Sequence, residues 1–304
     1  MNKPKRIAVA GATGYLGSQV ARALKQRGHF IRALVRDKQR LGPAKEAFDE
    51  VFVGQATERE SLVGLADDMD AVFSAIGVRQ LSRYPTFWQV DRDANLALVD
   101  EAERAGADRF VYVSVFGAPS HRDRNELFEA KEQVTDRLRG SSLRETIIRP
   151  TGLFNDMKEL FNMAVDGRVW LFGDGSAEVN PIHGADVGDL VAQVIQSASA
   201  ATDIDAGGPE TFSMRGIGEL AFEALDKPPK FAALPLGVLR AAAAVTAPFN
   251  RNLGALLGGF HFVNSEGAVA PTAGRRRLQS FFAELAEGHR TEAPHAAPAG
   301  RQTR

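Results

Sequence analysis

The sequence predicts an α/β fold: a doubly wound parallel sheet with helices on both faces and a smaller region appended to it. Three observations carry that expectation. A short apolar run at 7–10 enters a turn marked by Gly11, Gly14 and Gly17, and an amphipathic helix leaves it through Leu16, Val20 and Leu24. Further short apolar runs alternate with helical periodicities along the first half of the chain, the pattern of strand–helix–strand units. The length of 304 residues, with 44% apolar and 25% charged residues, suits one large α/β domain or such a domain with a small addition.

The glycine turn is the most informative element. Gly11 reaches backbone angles closed to other residues. Gly14 lets the main chain approach a pyrophosphate, and Gly17 lets the helix pack tightly on the strand. The helix N-terminus that follows offers unpaired N–H groups and partial positive charge to phosphate oxygens. Thr13, Tyr15 and Leu16 belong to the same turn and are expected beside the dinucleotide.

The next elements follow in order. Residues 30–35 read as the second strand, ending at Arg36. Arg36 stands 19 positions after Gly17, with Lys38 and Arg40 behind it. A guanidinium at this place suits an adenosine 2′-phosphate and favours NADP over NAD. Asp37, shifted by one, is the alternative, serving a ribose hydroxyl as in NAD-specific sites. Residues 51–53 read as the third strand, and Leu62 with Leu65 as part of a helix. Residues 70–76 read as the fourth strand, running through Ala75 to Gly77, where small residues let the chain pass close to a cofactor. A loop over 79–87 places Tyr84, with Trp88 beside it, at the sheet's carboxyl edge, where ligands of such folds bind. Residues 90–104 read as a long helix and 109–113 as the fifth strand, with Ser114 at its end.

Six stretches, in order from Gly11 to Ser213, then resemble one family. They are G-A-T-G-Y-L-G, F-V-Y-V-S-V-F-G, F-E-A-K, I-I-R-P-T-G-L-F, E-V-N-P-I-H-G-A-D-V and G-G-P-E-T-F-S. Together they are similar to the landmarks of atypical short-chain dehydrogenase/reductases of the NAD(P)H-binding, NmrA-like type. The resemblance fits the organisation read along the chain: a Rossmann sheet over 1–153 and a smaller substrate region over 154–287 interleaved with it; from Gly288 onward, with Pro294 and Pro298, the tail over 288–304 is expected to be disordered. The resemblance also implies that Pro150, Thr151, Gly152 and Leu153 line the nicotinamide end. Usual members pair a tyrosine and a lysine four residues apart; here Lys131 is present but Leu127 stands four residues before it. None of the three tyrosines, Tyr15, Tyr84 and Tyr112, holds that position. Relatives also carry an aspartate where Gln55 stands.

Lys131 lies in the apolar stripe Leu127, Lys131, Val134, Leu138, so it is expected off the solvated helix face, with its pKa depressed by burial. Its expected roles are bonding the nicotinamide ribose, proton transfer as in the F-x-x-K of isoflavone-reductase-like enzymes, or snorkelling from the helix edge. Ser114 is the candidate to orient a substrate oxygen. His183 is left outside the site as a packed residue, and Asp186 reads as a helix N-cap.

In the second half, 155–165 reads as a helix, 169–172 as a strand, and Ile217, Leu220, Ala221 and Leu225 as a helix stripe. The Ala- and Leu-rich runs 236–245 and 253–257 read as core-packing helices, with a lid, a dimer surface or a membrane-surface patch as alternatives. Leu278, Phe281, Phe282 and Leu285 form a last docking helix. The net charge of −1 makes no global case for nucleic acid, and no cysteine is present to form disulfides or thiolate metal sites. No His/Asp/Glu cluster has metal-ligand spacing, so no metal is expected. No uncharged run approaches the ~18 residues of a membrane span, and no leader is legible, which fits a cytoplasmic protein with peripheral membrane contact as the remaining option. The expected function is an NADP-dependent oxidoreductase acting on a small, apolar molecule. The rival is a non-catalytic NAD(P)H-binding sensor or assembly factor. An epimerase or dehydratase is a third class, and it too leans on the missing tyrosine.

Overall fold

The computed structural model describes residues 3–78, 82–199 and 201–292. Its centre is a parallel sheet of seven strands in the order β3-β2-β1-β4-β5-β6-β9. The strands are β1 Arg6–Ala10, β2 Phe30–Val35, β3 Glu50–Val53, β4 Ala71–Ser74, β5 Arg109–Val113, β6 Arg144–Pro150 and β9 Asp203–Ala206. Runs such as Arg-Phe-Val-Tyr-Val in β5 are buried at every position, as strands covered on both faces must be.

Helices close both faces. On one, α1 (Tyr15–Gln26) and α6 (Gly184–Gln196) bury Val20, Leu24, Val187 and Val191. On the other, α2 (Asn95–Arg104) and α4 (Glu126–Arg139) bury Leu98, Val134 and Leu138. Strand order reverses between β1 and β4, which opens a crevice at their carboxyl ends.

A third core belongs to the C-terminal region. It gathers Phe154, Phe161, Phe222 and Phe282 from around α5 (Lys158–Val165), α7 (Met214–Ala224) and α10 (Leu278–Glu292). Two small sheets support it, β7 (Val169–Phe172) with β11 (Phe231–Leu234) and β8 (Glu178–Val179) with β10 (Phe212–Ser213). Short α3 (Ala118–His121) and the pair α8 (Leu236–Thr246) and α9 (Arg251–Glu266) complete the chain.

The structure departs from the sequence expectations at six places. β4 stops at Ser74, so Ala75 and Gly77 belong to an irregular exit. Leu62 and Leu65 are buried, but in a 3₁₀ turn and its sequel, because Gly64 with φ +91° interrupts any helix between them. The long helix expected over 90–104 begins as a π-helical stretch, Trp88–Ala94, and becomes α-helical only at Asn95. Asp186 is not an N-cap: the His183 ring accepts the Ala185 N–H at 3.0 Å, while Asp186 accepts the Arg275 and Arg276 N–H groups at 3.0 Å and pairs with the Arg276 guanidinium. Helix α8 is not a core helix, since only Leu239 on it is buried. α10 continues to Glu292, past the expected end of ordered chain at 287; residues 293–304 lie outside those described.

The turn from β1 to α1 is the tightest point. Gly11 has φ +87°, and a side chain on it would meet the Ala75 backbone at 3.1 Å. A Cβ on Gly17 would stand 2.2 Å from the Gly11 carbonyl oxygen. Gly17→Ala is therefore expected to force α1 off β1 and to cost roughly 1–3 kcal/mol. Gly237→Ala, in open space on α8, is expected to change stability by no more than about 1 kcal/mol, in the stabilising direction. Urea unfolding of both variants checks the pair.

Candidate functional site

The crevice at the β1/β4 switch point is a cleft of about 620 Å³. Gly11, Thr13, Gly14, Leu16 and Gly17 form one wall. Helix α1 opens at Gly14 with no side-chain cap, so its first-turn N–H groups are left for whatever enters. Arg36 lines the far end, exposed, and among the described residues it meets no carboxylate. Asp37 does not line the cleft; its carboxylate accepts the Gln39 N–H at 2.9 Å and caps the next turn. These features fit a dinucleotide: room for pyrophosphate made by absent side chains, free N–H donors and a free guanidinium.

Ala75, Gly77, Ser114, Lys131 and Leu153 also line the cleft, as expected from the sequence. Six expected residues do not. The Tyr15 hydroxyl turns to α6 and accepts the Gly184 N–H at 3.1 Å. Pro150 ends β6 beside Ala206, with its carbonyl accepting the Phe116 N–H. Thr151 donates its hydroxyl to the Asn180 carbonyl at 2.7 Å, and Gly152 accepts the Ile182 N–H. These four hold the frame on which Leu153 reaches the cleft. Tyr84 is 64% exposed and outside the lining. Trp88 lies under the Arg92 guanidinium, 4.8 Å from its ring centre, and its indole N–H points to Glu126 at 3.4 Å.

Lys131 is the decisive side chain. Its stripe on α4 turns it inward, and only 12% of the side chain is exposed. Nζ stands 3.0 Å from Oδ1 of Asp91, which is 2% exposed. The other Asp91 oxygen accepts the Val78 N–H at 2.9 Å, and a side chain on Gly77 would strike Asp91 at 2.8 Å. Asn95 fixes the same corner by donating to the carbonyls of Ile76, Val90 and Asp91 and by receiving the Ser74 hydroxyl. The π-helical stretch and the β4 exit thus meet at one carboxylate.

This overturns the expected depressed lysine. Burial works against the charge, but the Tyr112 hydroxyl and the Asp91 carboxylate outweigh it, and Lys131 is held above the ordinary lysine range. Tyr112 is fully buried in β5 with its ring 5.7 Å from Nζ. Its hydroxyl forms no aligned hydrogen bond, and burial pushes its pKa up to about 12. A tyrosine does stand beside Lys131, but it comes from the strand beneath and does not reach the cleft. Ser114 lies over Glu132, its hydroxyl 3.4 Å from Oε1, and Glu132 in turn faces Arg149 at 3.6 Å.

Sequence reasoning missed Asp91. The signal was present: Phe87, Asp91, Asn95 and Leu98 share one face at intervals of four, four and three, so an acid sits on a buried stripe. It missed the apolar lining from Val78, Pro85, Phe87, Val90 and Leu256 as well. Among the described residues no group of three His, Cys, Asp or Glu side chains is placed to hold a metal. No helix there is long and apolar enough to cross a membrane.

Comparisons with known proteins agree with this geometry. A family described as NAD(P)H-binding matches residues 11–198. Divinyl chlorophyllide a 8-vinyl-reductase, chloroplastic, of Cucumis sativus is 26% identical over 269 residues, covering 80% of this chain and 62% of that protein. Photosystem II assembly factor Ycf39 of Guillardia theta is 27% identical over 195 residues, covering 64% of this chain and 60% of that protein. The chain thus spans about three fifths of the length of these curated relatives. The crystal structure of Citrobacter sp. triphenylmethane reductase complexed with NADP(H) shares the fold, with a TM-score of 0.72 at 16% identity, over 92% of this chain and 99% of that one. The glycine turn, the switch-point cleft and the match over most of the sheet place the chain in the family described as NAD(P)H-binding.

Proposed function

We propose that the protein is an NADP(H)-dependent reductase of a small, largely apolar molecule, working without the usual tyrosine. The observation that carries this reading is the convergence of the glycine turn, Arg36, Ser114 and a charged Lys131 on one cleft. Arg36 supplies a free guanidinium for a 2′-phosphate. The bound nicotinamide would supply hydride. Lys131, held protonated by Asp91, is a fixed cation and hydrogen-bond donor for ribose hydroxyls or for negative charge that develops on a substrate; it is not a base at neutral pH. Ser114 orients a substrate oxygen. Val78, Phe87, Val90 and Leu256 exclude water from the remaining space.

One observation favours the second reading, a non-catalytic NAD(P)H-binding protein: no tyrosine lines the cleft, and Tyr112 is sealed below it. A relative is named as an assembly factor. Cofactor binding without turnover over a broad panel of carbonyls and activated alkenes would favour that reading; turnover abolished by Lys131→Met with cofactor binding retained would exclude it.

Fluorescence titration tests the cofactor. NADPH is expected to bind more tightly than NADH, and Arg36→Ala to weaken NADPH about ten- to hundredfold, the loss of a charge-assisted phosphate contact, with NADH little changed. Preference for NADH would overturn the assignment of Arg36.

The ion pair has its own test. Asp91→Asn keeps an acceptor for the Val78 N–H but leaves the ammonium without a counter-charge, so the Lys131 pKa must fall. Amine acetylation read by mass spectrometry is expected to leave Lys131 unmodified up to about pH 9 in the native protein and to modify it readily there in the variant. Because the folded-state value of Lys131 is raised, the stabilisation tied to the lysine's titration is complete below about pH 10.4 and is lost as pH rises through the folded value. Lys131→Met, which strands the carboxylate, is expected to cost about 3–5 kcal/mol.

A further inference from the structure

Helix α8 wears its apolar side outward. Val238, Ala241 and Val245 follow at intervals of three and four, so they share one face of the helix, and Phe249 stands in the turn just after it; all four are exposed, Val245 at 68% and Phe249 at 75%. The helix meets the rest of the molecule chiefly through α9 and Leu239. A soluble helix ordinarily turns such a stripe inward, and an exposed one marks a contact surface.

Charge identifies the occupant. Residues 227–265 contain no aspartate or glutamate, although the chain carries 38 acidic residues. The same stretch carries four exposed cations, Lys227, Lys230, Arg240 and Arg251; Arg251 pairs with Glu126 and Lys227 donates to the Val165 carbonyl, while Arg240 on α8 and Lys230 meet no carboxylate among the described residues. An apolar face on a stretch that carries cations and no carboxylate of its own complements an anionic bilayer surface. A two-fold contact between copies fits less well, because it would bring arginines together with no carboxylate on the stretch to pair them.

The surface is joined to the cleft. The Asn252 side chain, at the start of α9 just beyond Phe249, accepts the Phe87 N–H at 3.0 Å and donates to the carbonyls of Ser82 and Pro85 at 2.9 and 2.8 Å. Ser82, Pro85 and Phe87 line the cleft. We infer that the α8–α9 hairpin is a membrane-surface docking element for anionic lipid, which sets the cleft's edge against the bilayer and gives it access to lipid-dissolved molecules. The inference requires the surface alone and stands whether or not the protein is a reductase.

Co-sedimentation of the full chain with vesicles tests it. The protein is expected to bind vesicles of equal parts phosphatidylcholine and phosphatidylglycerol, to bind phosphatidylcholine alone far less, and to be released by salt. Val245→Asp with Phe249→Asp is expected to weaken binding at least about tenfold, and Arg240→Glu to weaken it on the anionic vesicles only. An unchanged NADPH titration and melting midpoint would show that the variants are folded. Absence of binding to the mixed vesicles overturns the inference, as does binding that the double substitution leaves intact. So does a dimer, seen by light scattering, that the double substitution dissociates.

Discussion

A buried ammonium needs a buried counter-charge, and the cleft is organised around that requirement. Lys131 reaches the interior because it interrupts an apolar stripe on α4. Asp91 meets it only because three separate pieces of chain are fixed with respect to one another: the irregular exit of β4, the π-helical stretch before α2, and α4 itself. Removing two charges from water costs several kcal/mol per ion unless the geometry is good and the remaining lone pairs are satisfied. Here the Val78 N–H takes the second carboxylate oxygen, and Asn95 holds the backbone of Asp91. The same contacts that make the charge tolerable determine where the cleft's wall runs.

The sequence made the frame legible because the frame is written locally. The glycine turn, the strand ends at Val35 and Val113 and the stripe of α4 all announce themselves within about a dozen residues, by periodicity and by turn chemistry. Arg36 and Ser114 both line the cleft because a strand's end fixes the residue after it. Asp91 and Lys131 are 40 positions apart, and nothing local says that the acid will face the lysine. The direction of the lysine's pKa was misjudged for the same reason: burial is readable from a stripe, whereas a partner is not. Strand β9, Asp-Ile-Asp-Ala, is too short and polar to be read as a strand and exists because β6 offers it an edge. The exposed stripe of α8 misled in the other direction, since apolar periodicity alone does not say which side of a helix the protein covers.

The adenosine end shows a similar division. Arg36 and Asp37 are adjacent, and either could meet a ribose by spacing alone. Their side chains take different work: Asp37 is spent on the Gln39 N–H, which starts the following turn, while Arg36 faces the cleft. Asp37 lies outside the cleft lining, and an unpaired guanidinium beside the pocket attracts a phosphate through water. The support for NADP in the proposed function is therefore that the base lines the cleft and the acid does not.

The chemistry open to such a cleft follows from what it lacks. A tyrosine beside a lysine serves carbonyl reduction by passing a proton to the alkoxide as it forms. On the proposed reading the lysine keeps its proton, the nearby Tyr112 is sealed under it, and Ser114 is the hydroxyl beside Lys131 in the cleft lining. A fixed cation stabilises negative charge without surrendering a proton, and that help is greatest where the charge spreads over a conjugated system and can persist until the product leaves the cleft and is protonated in water. On the proposed reading, acceptors of hydride with delocalised charge suit this site better than isolated ketones. The apolar walls at Val78, Phe87, Val90 and Leu256 agree with that choice, because a conjugated, largely apolar acceptor is bound by the same surfaces that keep water from the ion pair.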